Sequence, residues 1–418
     1  MINYLSFVIT GQCNSKCIMC NCWKNQNGYT PKQLILENVL KDREVMENIE
    51  TIEFYGGEPL LRKDLLEIIF ESLNYLKNLN KIVIITNGFL HKRLEKICSE
   101  TLEKIRKDKS NHSLEVVVSL DGIGVVHDKI RQTPLAFKKV MTSVKKLKAI
   151  QKNFENFNFY FNTTVCNLNI HDIENLSSFA DLIDVKIHFS IISAQEVAIS
   201  TNMYEIKQKE LLPPKEKLLG LFEKLLKRSL ETKTPIDIIQ NYYDKIEYYK
   251  GNPKLTECSY QTNSILIDWD GKCYLCPATK DGYLCDITKS KISTCKKIID
   301  DVKRKIEPIC LQCNVSCSVY SSIVNSKIDD YKLTKLFYGI TPISLEIAIK
   351  NNGKVTLFDN RSYSCNVPPE VTTVNPHEIK DHDFDIVIAF IQGNRNEVLS
   401  YLTKELLIDP DKIYFYDL

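Results

Sequence analysis

The chain has 418 residues, 44% of them hydrophobic and 26% charged, with a formal net charge of +2. That is the composition of an ordinary soluble protein with room for two or three domains, and the charge argues neither for nor against a nucleic-acid or membrane partner. No signal-peptide pattern opens the chain and no apolar stretch is long enough to span a bilayer, so the expected setting is the cytoplasm, with no membrane and no nucleic acid. There, fifteen cysteines read as metal ligands before disulfides.

The first predicted element is an apolar strand over residues 4–10. It runs straight into Thr-Gly-Gln-Cys-Asn-Ser-Lys-Cys-Ile-Met-Cys-Asn-Cys-Trp, residues 10–23, where Cys13, Cys17 and Cys20 stand at C-x3-C-x2-C spacing. Three thiolates on one loop can hold three corners of a cubic iron–sulfur cluster. Such a cluster normally takes four cysteines, so one iron is left open for a small ligand. With Cys22 as a fourth ligand the same loop would also suit zinc. A disulfide set fits less well in a chain without a secretory signal.

From there to about residue 230, strand and helix signals alternate. Strands are predicted over 5–10, 51–55, 81–86, 114–120, 157–165 and 185–192, with helices between them such as 31–48, 64–77 and 135–150. Six strand–helix units imply a parallel sheet with helices outside. An open (β/α)6 barrel fits, and pattern alone does not separate it from a doubly wound sheet. Either way, ligands sit at the carboxyl ends of the strands.

Those strand ends carry the informative residues. The second ends in Tyr55-Gly56-Gly57-Glu58-Pro59. Paired glycines let backbone approach a ligand closely, and a carboxylate beside them can accept hydrogen bonds from an ammonium group. The same residues also make a plain turn. The third strand ends in Thr86-Asn87-Gly88, and the fourth in Val118-Ser119-Leu120-Asp121-Gly122, followed by His127-Asp128-Lys129-Ile130-Arg131. Taken singly, each reads equally as a capped turn or a surface ion pair.

Residues 194–212 are polar and without period. Pro213-Pro214 then opens a helix over 215–230, and a tyrosine-rich helix and loop follow to 257. Cys258, Cys273, Cys276, Cys285, Cys295, Cys310, Cys313 and Cys317 crowd the next stretch. Residues 264–269 and 272–275 read as a hairpin about Asp270-Gly271, and 291–305 as a helix before Cys310-Leu-Gln-Cys313. Cys98, Cys166 and Cys365 are most simply small buried apolar residues. The last region alternates strands over 336–339, 354–358, 386–390 and 412–416 with helices over 344–350 and 395–407, a Rossmann-like βαβ domain. Asp359, twenty positions after Gly339, suggests a ribose contact, but Gly339-Ile-Thr-Pro-Ile-Ser lacks the further glycines of a dinucleotide loop. The expected domains are 1–235, 236–325 and 326–418.

Together the strand-end motifs resemble the radical S-adenosylmethionine (radical SAM) superfamily, whose series C-x3-C-x2-C, G-G-E-P, T-N-G, S-L-D-G and H-D-x-x-R stands here in the same order. The resemblance implies a partial (β/α)6 TIM-like barrel and a 4Fe–4S cluster on Cys13, Cys17 and Cys20 whose open iron chelates S-adenosylmethionine. It places Gly56, Gly57 and Glu58 at the methionyl amine, and Thr86, Ser119 and Arg131 near the ribose and carboxylate. Met19 departs from the aromatic residue common before the third cysteine, though a thioether can still pack on adenine. The second cysteine region resembles the twitch or SPASM auxiliary-cluster modules. By that resemblance Cys258, Cys276, Cys310 and Cys313 hold a second 4Fe–4S cluster. Eight cysteines would also suffice for two clusters, and a zinc ribbon, which uses paired sites, fits less well because Cys258 stands alone.

The family resemblance further implies an oxidoreductase. Reductive cleavage of S-adenosylmethionine gives methionine and a 5′-deoxyadenosyl radical, which abstracts a hydrogen atom from a substrate in the barrel. An electron donor such as flavodoxin or ferredoxin is implied with it. A second cluster of different potential suggests a two-electron oxidation; epimerisation and rearrangement stay open, and no catalytic acid or base is identified. The expected substrate is a small polar molecule, a sugar or nucleotide-linked sugar. A first cluster cysteine at residue 13 leaves no room for the leader-binding domain of peptide maturases, and the C-terminal domain loosely resembles nucleotide-sugar modules. The alternatives are a peptide-modifying maturase and a non-catalytic iron–sulfur electron carrier, which would need none of the strand-end motifs.

Overall fold

The computed structural model describes residues 2–24, 28–192, 208–231, 236–251, 258, 260, 263–276, 279–310, 335–338, 355–358, 372–373, 379, 386–391, 398, 400–408 and 413–417. Contacts divide the chain into two units, Met1–Pro214 with Cys258–Ser321, and Lys215–Glu257 with Ser322–Leu418. This division does not follow the boundaries expected near 235 and 325.

In the first unit the six apolar runs become β1 (Tyr4–Thr10), β2 (Thr51–Gly56), β3 (Lys81–Thr86), β4 (Ser113–Ser119), β5 (Phe157–Val165) and β6 (Ile187–Ile191). They pair in parallel as neighbours in sequence order. The hairpin supplies β7 (Ser264–Ile267) and β8 (Lys272–Tyr274), followed by β9 (Tyr283–Asp286). β7 pairs in parallel with β1, Tyr4 opposite Ser264 and Phe7 opposite Ile267, so one sheet runs in the order β6-β5-β4-β3-β2-β1-β7-β8-β9. This continuity is why residues 258–321 group with the barrel.

Each strand sorts its side chains by period two. On the helix side stand Phe7, Phe54, Ile84, Val116 and Phe161, all without exposed surface. A Cβ at Gly88 would meet Val118 and Val140, the latter on the helix Ala136–Gln151, which fixes Val118 to that side. Each such side chain contributes about 1.5–3 kcal/mol of burial. The other face sets polar pairs beside the apolar cluster of Val83, Val117 and Tyr160. Tyr4 and Ser6 donate to Glu53 at 2.6 and 3.0 Å, Tyr160 donates to Glu115 at 3.0 Å, and Ser190 to Asn162 at 2.9 Å. Tyr160 also stacks on His188 with ring centroids 4.4 Å apart.

The helices Leu65–Tyr75, His91–Lys107, Ala136–Gln151 and Ile173–Leu182 lie between strands as the alternation requires. The single helix expected over 31–48 is instead broken into Lys32–Ile35, a widened turn at Leu36–Leu40, and Arg43–Met46. At the break, the buried carboxylate of Asp42 accepts from the Ser293 backbone N–H at 2.9 Å. The helix expected over 291–305 starts later. A 3-10 segment, Ile292–Lys297, precedes the helix Ile299–Cys310.

In the second unit Phe222 of the helix Lys215–Glu231 packs on Tyr242 and Tyr249 of the helix Ile236–Lys250, with ring centroids 5.8 and 6.4 Å away. β10 (Lys335–Tyr338), β11 (Val355–Phe358), β12 (Thr372–Thr373), β13 (Ile386–Ile391) and β14 (Ile413–Asp417) form an all-parallel sheet ordered β12-β11-β10-β13-β14. Counted from its first strand this is 3-2-1-4-5, the doubly wound order, reversing between β10 and β13. Gly339, Asp359 and the helix expected over 344–350 lie outside the described residues. Among those described, no helix is long and apolar enough to cross a membrane.

Candidate active site

β1 delivers its last residue, Thr10, into the cysteine loop, and the ends of β2, β3 and β4 close around that loop. The glycine pair after β2 spends its freedom on the chain itself. Gly56 has φ +144°, and a Cβ on either glycine would strike the backbone of residues 10–12. That close approach lets Gly57 N–H donate to Thr10 at 2.9 Å and Glu58 N–H to Gln12 at 2.7 Å. The G-G-E-P segment thus clamps the start of the cysteine loop and aims Glu58 inward.

Glu58 has no exposed surface. Its carboxylate accepts from Thr86 Oγ1 at 2.7 Å, Asn87 N–H at 2.8 Å and Leu60 N–H at 3.1 Å. Burial nevertheless pushes its pKa up to about 7, against those hydrogen bonds. Asn87 also reaches the loop, donating to Asn14 at 2.7 Å.

From the other side, the S-L-D-G and H-D-x-x-R segments hold the middle of the loop. Ile18 N–H donates to Ile130 at 3.0 Å and Ser15 Oγ to the Arg131 carbonyl at 3.0 Å. The Arg131 guanidinium donates to Asp121 at 2.5 Å and lies 3.5 Å from Cys17 Sγ. Burial works against that charge, but Asp121 and Cys17 more than offset it and keep the guanidinium ionised. Asp121 is itself fixed by Thr164 N–H at 2.9 Å, and its own N–H donates to His127 Nδ1 at 3.0 Å. Burial depresses the His127 pKa to about 4, so the ring is neutral.

The three thiols fit a cluster with one open iron. They feel one another's charge. Yet they do not form one of the groups whose sulfurs all close to within 4.8 Å. A cubane, in which each sulfur binds a different iron, does not need them that close. Burial raises the pKa of Cys13 to about 12 and raises that of Cys17, with Arg131 opposing the rise at Cys17. The Cys22 thiol hydrogen-bonds Cys20 and lowers it to about 7. Cys22 is therefore a hydrogen-bond partner of Cys20.

Of the residues expected at the cofactor, Gly56, Gly57, Glu58 and Thr86 come together beside the loop, and Arg131 meets Cys17. Ser119, partly exposed, ends β4 opposite Asn162 of β5. Sequence reasoning missed Asp121 as the partner of Arg131, although both stood in its motifs. It also missed Asp268 and Trp269, read only as hairpin. Trp269 covers Gly11 at 3.2 Å from a Cβ there, and its carbonyl accepts from Thr30 N–H at 2.8 Å. Asp268 is fully buried with Oδ2 unpaired and its pKa pushed up to about 7 by burial. No local signal marks it, because β7 reaches β1 across some 250 residues of chain.

The expected auxiliary ligands are placed in part. Cys258 and Cys276 are buried and Cys310 is half-buried at the end of its helix. Cys313, like Cys317, lies outside the described residues. Among the described residues, the sulfurs of Cys273, Cys285 and Cys295 converge to within 4.8 Å of one another, a trio that fits an auxiliary metal centre.

Residues 7–180 match the model of the Radical SAM superfamily. Curated relatives include a GTP 3′,8-cyclase of Helicobacter pylori, 36% identical over 127 residues, which are 29% of this chain and 36% of that protein. A GTP 3′,8-cyclase of Campylobacter jejuni subsp. doylei is 36% identical over 152 residues, 34% of this chain and 41% of that protein. The chain thus spans about two fifths or less of the length of these relatives. Among solved structures, native anSMEcpe with bound AdoMet and Cp18Cys peptide superposes with a TM-score of 0.53 at 15% identity, covering 79% of this chain and 87% of that one. Native anSMEcpe with bound AdoMet gives 0.52 at 14% identity, over 79% and 88%. At such identity the likeness is one of fold.

Proposed function

We propose, from the premise that residues 7–180 are a radical SAM domain, that this enzyme acts on a small polar substrate containing a nucleotide or nucleotide-linked sugar. When bound, a 4Fe–4S cluster and S-adenosylmethionine supply a 5′-deoxyadenosyl radical able to take a hydrogen atom from a substrate, and the protein's part is to position and shield. Cys13, Cys17 and Cys20 hold the cluster. Arg131, anchored on Asp121, balances the charge of Cys17. Glu58, oriented by Thr86 and Asn87, receives the methionyl ammonium, with Gly56 and Gly57 setting its approach. Ser119 and Arg131 serve the ribose and carboxylate. Cys258, Cys276, Cys310 and Cys313 hold an auxiliary cluster as electron acceptor, and a flavodoxin or ferredoxin is the donor.

The observation that carries the substrate class is a group of polar side chains on the face of the sheet away from the helices. Tyr160 with Glu115 and His188, and Asn162 with Ser190, line the side of the sheet away from the helices. Polar groups there ask for a hydrogen-bonding substrate. The relatives named GTP 3′,8-cyclase support a nucleotide. So does the second unit, whose strand order reverses between β10 and β13, where doubly wound sheets take ligands.

The test is anaerobic turnover of the full chain with S-adenosylmethionine, reductant and a panel of nucleoside triphosphates and nucleotide sugars, followed by mass spectrometry. One panel member should raise 5′-deoxyadenosine formation and yield a matching product, and Asn162→Ala should raise its KM. If only peptides raise the rate, the substrate reading fails.

A further inference from the structure

The module between residues 264 and 297 carries a second group of thiols that the reaction does not use. Cys273 of β8 stands directly opposite Cys285 of β9 in antiparallel register. Directly opposed residues share a face with Cβ atoms about 4.5–5.5 Å apart. The 3-10 segment Ile292–Lys297 folds back on β9 and lowers Cys295 onto the pair. All three side chains are buried, at 0%, 8% and 1% exposure, and their sulfurs lie within 4.8 Å of one another.

This group is distinct from the expected auxiliary set. Tyr274 follows Cys273 on β8 and so points to the opposite face. There it packs with Val8, Tyr260, Leu266 and Cys258. Cys258 and the trio therefore lie on opposite faces of the hairpin.

We propose that Cys273, Cys285 and Cys295 bind one zinc ion that staples the 292–297 segment to the β8–β9 ladder. Close convergence favours a single ion over a cubane. A tetrahedral zinc holds thiolates roughly 3.8 Å apart, so the Cys285 and Cys295 sulfurs, in bonding contact here, must part to admit it. A cubane seats each thiolate on a different iron and spreads them further, as at Cys13, Cys17 and Cys20. Among the described residues no other cysteine, histidine or carboxylate joins the group. The competing arrangement is a disulfide. The Cys285 and Cys295 sulfurs are in bonding contact and their Cα atoms are 5.7 Å apart, which suits a disulfide. A chain that must keep the Cys13 loop as thiols works where disulfides do not persist, and a disulfide would strand Cys273 beside it as a buried odd thiol.

The experiment is metal analysis of the full chain purified anaerobically, beside Cys273→Ser. About one zinc per chain is expected in the wild type, lost in the variant with iron unchanged. Should the variant fail to fold, the wild type alone decides. Bound zinc should protect Cys273, Cys285 and Cys295 from alkylation, and cobalt(II) in its place should show thiolate charge-transfer absorption. Loss of about four irons in Cys273→Ser, or a Cys285–Cys295 disulfide in anaerobically quenched wild type without zinc, would overturn the proposal.

Discussion

The molecule holds two trios of cysteines, and they are built by opposite means. Cys13, Cys17 and Cys20 are close in sequence and sit on one loop, yet their sulfurs stay apart and need outside help to hold position. That help comes from Glu58 and Gly57 on one side and from Arg131 and Ile130 on the other. Cys273, Cys285 and Cys295 are ten or more residues apart, yet the β8–β9 register and the 3-10 segment Ile292–Lys297 bring their sulfurs within 4.8 Å. A loop can be adjusted around a cluster with an open corner and a cofactor. A ladder is rigid and suits a closed, structural ion. The difference teaches that motif spacing reports the adjustable site, and strand register the rigid one.

The comparison breaks most visibly at Cys17. Replacing it with Ala removes one of the three proposed ligands and the thiol beside Arg131. Iron of the first cluster and reductive cleavage of S-adenosylmethionine should both fall to background, while zinc on the hairpin trio stays. Iron analysis and anaerobic 5′-deoxyadenosine formation check it.

Asp121→Asn comes next. It keeps the shape and strands the Arg131 guanidinium, and breaking one side of a buried pair costs about 3–5 kcal/mol. Chemical unfolding should show that loss, with the first cluster less well retained. A loss below about 1 kcal/mol would mean that Arg131 is held by Cys17 and solvent instead.

Much of this was legible beforehand. The six strands of the barrel announce themselves as apolar runs, and the clamp residues stand in punctuated motifs at their ends. Three things were not legible. The parallel pairing of β7 with β1 depends on residues more than 250 positions apart, and nothing local marks it. The role of the Gly56–Gly57 pair could be read as ligand approach or turn, and only the backbone at residues 10–12 shows what the missing side chains make room for. The hairpin trio has no motif spacing at all, because the β8–β9 register aligns Cys273 with Cys285.

Glu58→Gln tests the first clamp at smaller amplitude. Folded, Glu58 holds its proton up to about pH 7, against an ordinary carboxyl value of 4.5. Between those values the folded chain binds a proton that the unfolded chain has released, so stability falls as pH rises through that window, by roughly 3 kcal/mol. The Gln variant should flatten that slope in the cluster-free chain, measured by urea unfolding from pH 4.5 to 7. An unchanged slope would place the titration elsewhere.

The smallest effect is expected at Cys22→Ala. The hydrogen bond to Cys20 disappears, but all three ligands remain. Iron content should stay near wild type, with a modest shift in cluster reduction potential. Loss of iron would make Cys22 a ligand and bring back the zinc-loop alternative.

The central claim is that the Cys13 loop presents an open iron to S-adenosylmethionine. Electron paramagnetic resonance of the dithionite-reduced full chain tests it most directly. Adding S-adenosylmethionine should change the signal of one cluster in the wild type, and that component should be missing when Cys13, Cys17 and Cys20 are all Ala. A wild-type signal indifferent to S-adenosylmethionine, or a responsive one surviving in the triple variant, would contradict the account.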